Sequence, residues 1–199
     1  LRQSLYIERM YKRHLTEKNT KAWKTPCGTS REEAAKFAKI GPATTDEEKT
    51  NMVGKDFLGL IGGLLYAAIM TRPDIAYHCS HLCRAMHSPS PDGFEAALGV
   101  LAYLHQSKSR GLKYGGGHRP YISAEVHDFT FCGHADSSWG TNPYPHCGGF
   151  VELNGAAIDW FSRVHKFVPQ STWEAELGGI NMLLKILRFA TYLYVDMTG

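Results

Sequence analysis

The sequence predicts an α+β chain, an α/β composition in which a helical first half precedes a three-stranded antiparallel meander and one closing helix. Three observations carry this. Apolar residues recur at three- and four-residue spacing between residues 57 and 105, strand-like runs begin only after residue 128, and Asn154–Gly155 separates two of those runs. The first pattern is the stripe of core-facing helices. An Asn-Gly pair between two strand runs is the strongest short-range hairpin signal.

In chain order, Leu5 to Leu15 alternates apolar and basic residues and predicts a short amphipathic helix. Residues 16–52 are polar, broken at Thr25–Pro26, Gly28 and Gly41–Pro42, and read as a linker with one helical turn near Glu32 to Phe37. Phe57, Leu60, Ile61, Leu64, Leu65 and Ala68 then form a helical stripe, which Thr71–Arg72–Pro73–Asp74 breaks. A second helix is expected from Ile75 to Met86 and, after Pro89 and Pro91, a third from Phe94 to His105. These give expected boundaries at 1–15, 16–52, 53–110 and 121–199. In the last part, Phe129 to Cys132 leads into Ala135–Asp136, Gly148 to Leu153 and Ala157 to Phe161 flank the turn, and residues 171 to 195 are helical.

The bulk numbers exclude little. The chain has 199 residues, 43% hydrophobic and 21% charged, which is ordinary for a globular protein. Its five cysteines are an odd number with no signal peptide ahead of them, which fits an intracellular, reducing compartment rather than a disulfide framework. The apolar run Leu58 to Met70 is shorter than the roughly 20 residues of a membrane span, so no membrane partner is expected. Residues 1–25 hold Arg2, Arg9, Lys12, Arg13, Lys18, Lys21 and Lys24 against Glu8 and Glu17, a basic run suited either to tracking phosphates or to solvation. The chain opens mid-pattern without methionine, so residue 1 is not expected to be a natural N-terminus.

Two carboxylates stand out. Asp136 closes the first strand before Ser137–Ser138–Trp139. Ser171 and Glu174 make a capping box, which leaves Glu176 free for another task; Ile180 and Leu183 share its helix face, so it should face the protein. A carboxylate on a buried face needs a partner, and a divalent cation shared with Asp136 is one way to supply it, although paired or solvated carboxylates are commoner.

Several phrases resemble a known family. Gly133-His-Ala-Asp-Ser-Ser-Trp-Gly140, Asp159-Trp-Phe-Ser162 and Ser171 to Leu177 resemble the "GYSDADWAG", "SWSS" and "SSTEAEY" stretches of copia-type retrotransposon Pol polyproteins. Leu60 to Tyr66, Thr71 to Tyr77, Leu101 to Leu104 and Gly111 to Tyr114 resemble "LIGSLLY", "TRPDIAY", "LRYL" and "GLKY", in the same order, and Ser4 to Ile7 fits the entry to this region. The resemblance implies the end of a reverse transcriptase (1–15), a linker (16–52), a helical connection region (53–110) and the N-terminal part of an RNase H-like domain (121–199). It implies hydrolysis of RNA in RNA–DNA hybrids, Mg²⁺ or Mn²⁺ as cofactor, and Asp136 and Glu176 as its catalytic ligands. The implied partners are the hybrid and the polymerase domain upstream, and the implied setting is a cytoplasmic virus-like particle or the nucleus.

The family's third and fourth acids have no counterpart within residues 1–199, apart from Asp196 as a late candidate. The isolated chain is therefore expected to be inactive, and a non-enzymatic remnant or nucleic-acid-binding connection module is the alternative. Tyr194–Val195–Asp196 resembles half of a polymerase "YVDD" motif but lies in the wrong place, and reads as coincidence. Cys79, Cys83 and His87 have zinc-compatible helical spacing, with Cys132, His134, His146 and Cys147 as possible additions, but buried cysteine is commonly a small hydrophobe. Arg72 and Asp74 are expected to pair and fix the turn between helices, in preference to Arg72 meeting a phosphate.

Overall fold

A computed structural model describes residues 1–15, 25–27, 30–114, 131–139 and 145–198. The expected strand start at Phe129 and Thr130, and Glu17, Lys18, Lys21 and Lys24 of the basic run, lie outside them. The chain divides into two compact units, Leu1–Gly111 and Leu112–Gly199.

The first unit is helical: α1 (Ser4–His14), α2 (Arg31–Ala38), α3 (Asp46–Asn51), α4 (Phe57–Met70), a 3₁₀ turn (Pro73–Ile75), α5 (Ala76–Cys83) and α6 (Pro91–Gln106). α4 is apolar nearly all round and supplies Phe57, Leu60, Ile61, Leu64, Ala67 and Ala68 to the core, where Ile7 and Met10 of α1 and Val100, Leu101 and Leu104 of α6 meet it. Gly63 lets α1 approach, since a Cβ there would lie 2.5 Å from the Met10 methyl.

The segment expected to be a linker is more ordered than its composition suggested. It carries two helices, each opened by a complete capping box: Ser30 with Glu33 on α2, Thr45 with Glu48 on α3. Phe37 and Met52 are buried in the same core as α4. Isolated apolar residues in a polar stretch give no periodicity, so only the caps signalled these helices in advance.

Arg72 is 1% exposed. Its Nε and Nη2 donate to the two carboxylate oxygens of Asp74 at 2.9 and 2.7 Å, and Nη1 and Nη2 donate to the carbonyl and hydroxyl oxygens of Ser107. The Tyr103 hydroxyl donates to Asp74 as well. The fork is fully engaged inside the protein, so the pairing reading holds and Arg72 is not presented to a phosphate.

The second unit is a meander, β1 (Phe131–Ser137), β2 (His146–Leu153) and β3 (Ala156–Val164), followed by the 27-residue helix α7 (Thr172–Thr198). The sheet order is β1-β2-β3 with both pairings antiparallel, as the hairpin signal required. Asn154 and Gly155 both have positive φ, 52° and 78°, the backbone of a type I′ turn. Cys147, Val151, Phe161 and Leu183 form the buried centre beneath α7.

Candidate functional site

Close approach of α7 to the sheet depends on two glycines. A Cβ at Gly179 would lie 2.6 Å from Ser137 Oγ; one at Gly178 would lie 2.7 Å from His165 Cε1 and 2.8 Å from Phe167 Cζ. Further along, Leu183 packs on Gly133, and the Tyr194 ring meets Phe131 edge-on. Gly179 therefore lies over the end of β1 and Tyr194 over its start, so α7 runs antiparallel to β1. Ser171 caps the helix just before its first residue, its hydroxyl accepting from Glu174 N at 3.2 Å, while the Glu174 carboxylate accepts from Gln170 N at 2.6 Å. Glu174 is thus spent on capping, one residue further back than a standard box.

Contacts with α7 fix which way β1 faces. Ser137, Ala135 and Gly133 turn toward the helix, together with Cys147 and Val151 of β2; Cys147 Sγ lies 3.4 Å from Met182 Sδ. Strand alternation then turns Asp136, His134 and Cys132 to the other side. Asp136 is exposed there. It is registered against Gly148, which is registered against Ser162. On this same face His146 Nε2 lies 2.6 Å from Ser162 Oγ, and the His134 ring stacks on Phe150. The sequence signal for these neighbours of Asp136 is the period-of-two pattern from Cys132 to Asp136 set against Gly148–Phe150.

Glu176 is half-buried on α7. The stripe that seats the helix is Ala175, Gly179 and Leu183, with Glu176 on its β1 flank, in angular line with Tyr194. Ile180, expected to share its buried face, is 43% exposed. Glu176 and Asp136 therefore lie toward the same end of β1, Glu176 on the helix and Asp136 turned to the open side of the sheet. Among the described residues neither has a hydrogen-bond or ion-pair partner.

Asp196 lies twenty residues beyond Glu176 on one unbroken helix, which at 1.5 Å per residue is about 30 Å away. It cannot share an ion with Glu176. Among the described residues no group of three or more His, Cys, Asp or Glu side chains is placed to hold a metal ion. Cys79 is fully buried in the helical core, where burial pushes its thiol well above the usual range, and His87 is exposed. Cys147 faces α7 while His134 and His146 face the other way, so the sheet divides those candidates too.

No family model matches the chain, and no solved structure matches it. Curated relatives do. Over 176 residues, 88% of this chain and 12% of the relative, it is 33% identical to the retrovirus-related Pol polyprotein from transposon TNT 1-94 of Nicotiana tabacum. It is 33% identical over 125 residues to the corresponding polyprotein from transposon RE2 of Arabidopsis thaliana, covering 63% of this chain and 8% of the relative. It is 35% identical over 124 residues to the putative transposon Ty5-1 protein of Saccharomyces cerevisiae, covering 60% of this chain and 37% of the relative. The chain is homologous to a short segment of transposon-encoded, retrovirus-related Pol polyproteins.

Proposed function

We propose that the chain spans the end of a copia-type reverse transcriptase and the first part of an RNase H-type domain, and that the whole polyprotein hydrolyses RNA in RNA–DNA hybrids with Mg²⁺ or Mn²⁺. The observation that carries this reading is the meander β1-β2-β3 with α7 returning antiparallel across β1, which sets an acid on the strand and an acid on the helix at one strand end. Asp136 and Glu176 are the ligands proposed. Their donor set suits the ion, since Mg²⁺ takes hard carboxylate oxygens and neither acid is committed to another described group. A bound ion would supply a water activated for attack on phosphorus.

The arrangement fits the ion only in part. Two acids, with no group of three or more ligating side chains among the described residues, do not close a coordination shell, so the chain by itself is proposed to be inert as a nuclease. The incomplete shell argues against turnover and the exposed Arg2 and Arg9 suit phosphate, which together favour a second reading, a nucleic-acid-binding connection module. Incubating labelled RNA–DNA hybrid with Mg²⁺ and either this chain or a longer polyprotein separates the two. The proposal expects cleavage by the longer protein alone, reduced at least a hundredfold by Asp136→Asn and by Glu176→Gln. Undiminished cleavage by Asp136→Asn would remove that residue from the site. No cleavage by the longer protein would leave the connection module as the better account.

A further inference from the structure

We infer that the solvent face of α1, with Arg2 just before it and Arg110 beside it, is a binding surface for the phosphodiester backbone of a nucleic-acid duplex. The inference rests on the proposed nucleic-acid role and gives it a location in the helical unit.

The argument begins with what α1 buries. Ile7 and Met10 face the core, so Arg9, Lys12 and Arg13 are carried on the outer side at helical spacing. Two acids lie by this face and match part of its charge: Glu8 Oε1 is 3.9 Å from Lys12 Nζ, and Asp56 pairs with Arg13. The Glu8 carboxylate turns toward α6, accepting from Lys108 Nζ and lying 3.0 Å from His105 Nε2, and these partners hold it below the usual carboxylate range. Asp56 accepts from Gly59 N as the cap of α4 and takes Arg13 as its ion-pair partner at 3.0 Å. Arg2 and Arg9 are exposed and have no acidic partner among the described residues.

The end of α6 extends the patch. Gly111 runs so close to Leu1 and Arg2 that a Cβ on it would lie 2.9 Å from Arg2 Cγ, which brings the exposed Arg110 beside Arg2. Arg110 is held by the Tyr103 hydroxyl at 3.2 Å, its Nη1 donating. Two guanidinium groups at one end and Arg9 about two helical turns along make a cationic row of roughly 10 Å. Guanidinium suits phosphate because its planar donors match two phosphate oxygens at once. A row that reads charge and not bases should bind duplexes of any sequence.

The test uses the full chain and a fluorescein-labelled 20-base-pair RNA–DNA hybrid, titrated by anisotropy across a range of salt. The Arg2→Ala/Arg9→Ala double variant should bind about tenfold more weakly at moderate salt and lose about two units from the slope of log K against log salt. Lys36→Ala/Lys39→Ala, which removes the same charge from α2, should leave the slope unchanged. An equal loss in both double variants would mean diffuse attraction and overturn the assignment. So would unchanged binding by Arg2→Ala/Arg9→Ala, or binding to anionic lipid vesicles with none to the hybrid. Cleavage by the longer polyprotein reads the ion site and anisotropy of the hybrid reads the α1 surface, so failure of one and failure of the other give different results.

Discussion

At the scale of single residues, glycines decide how α7 sits. Gly178 and Gly179 look costly in the sequence, since each costs a helix about 1 kcal/mol relative to Ala. Their reason is what they touch: Ser137, His165 and Phe167, three residues from other elements. No local pattern could report those contacts, so the cost was legible and the cause was not. Gly179→Ala should therefore destabilise the chain by about 2 kcal/mol in spite of its better propensity, because Ser137 Oγ is on a strand and cannot retreat far. Gly62→Ala on α4 is the contrast, as a Cβ there meets nothing within 4 Å. It should stabilise by up to about 1 kcal/mol. Urea unfolding followed by circular dichroism checks both, and equal signs would refute the packing account. Arg72 gives the reverse case, where two residues apart in sequence were enough to foresee a pair. Arg72→Ala should cost about 3 kcal/mol, since it strands Asp74 and the Ser107 groups, and Arg72→Lys should recover less than half because an ammonium cannot reproduce the fork.

At the scale of elements, the docking of α2 on α5 is set by aromatic and imidazole rings. Phe37 packs between His78 and His81, with ring centroids at 4.9 and 5.0 Å, and His81 Nε2 donates to the Ile40 carbonyl just past α2. Burial pushes His78 down to about 4, helped by His81, and His81 is lowered by burial and by Arg84; Asp74 pulls His78 the other way. His78 Nδ1 is buried without a hydrogen-bond partner among the described residues. Both rings are therefore neutral in the folded unit, while the unfolded chain takes up protons below about pH 6.5. Stability from these sites is fully present above that pH and is lost as pH falls toward 4. The unfolding free energy of the helical unit, read from urea titrations, should drop across that window by an amount on the order of 3 kcal/mol for His78. His78→Leu should flatten the dependence, and an unchanged slope in that variant would assign the acid sensitivity elsewhere. Sequence placed the helix that carries these histidines but not α2 against it. The two capping boxes were readable, yet one buried Phe in eight polar-leaning residues gives no stripe to say which way α2 faces.

On the scale of the whole molecule, the two units are unequally provided with core. Among the described residues, twenty-one buried apolar or aromatic side chains form the helical core, while four form the core beneath α7. The order of elements was legible because a period near 3.6 gives way to a period of two at one place. The side of the sheet was not legible, because Gly133-His-Ala-Asp-Ser137 has no apolar alternation to show which face seats a helix. That missing information is why the side of the sheet to which Asp136 turns could not be read in advance. The same poverty of apolar residues inside has its counterpart outside: Trp173, Leu177, Ile180 and Leu184, 79%, 56%, 43% and 54% exposed, recur along the outer face of α7 at three- and four-residue spacing. β1 also ends the sheet with an unpaired edge among the described residues. A unit that buries so little and exposes so much should open well before its neighbour. Hydrogen exchange should therefore show amides of β1, β2 and the first half of α7 exchanging at least tenfold faster than those of α4 and α6. Urea should give two transitions, the earlier one reported by Trp139, Trp160 and Trp173 in the second unit. A single cooperative transition, with equal protection in α4 and α7, would mean that four buried side chains are not what limits this unit.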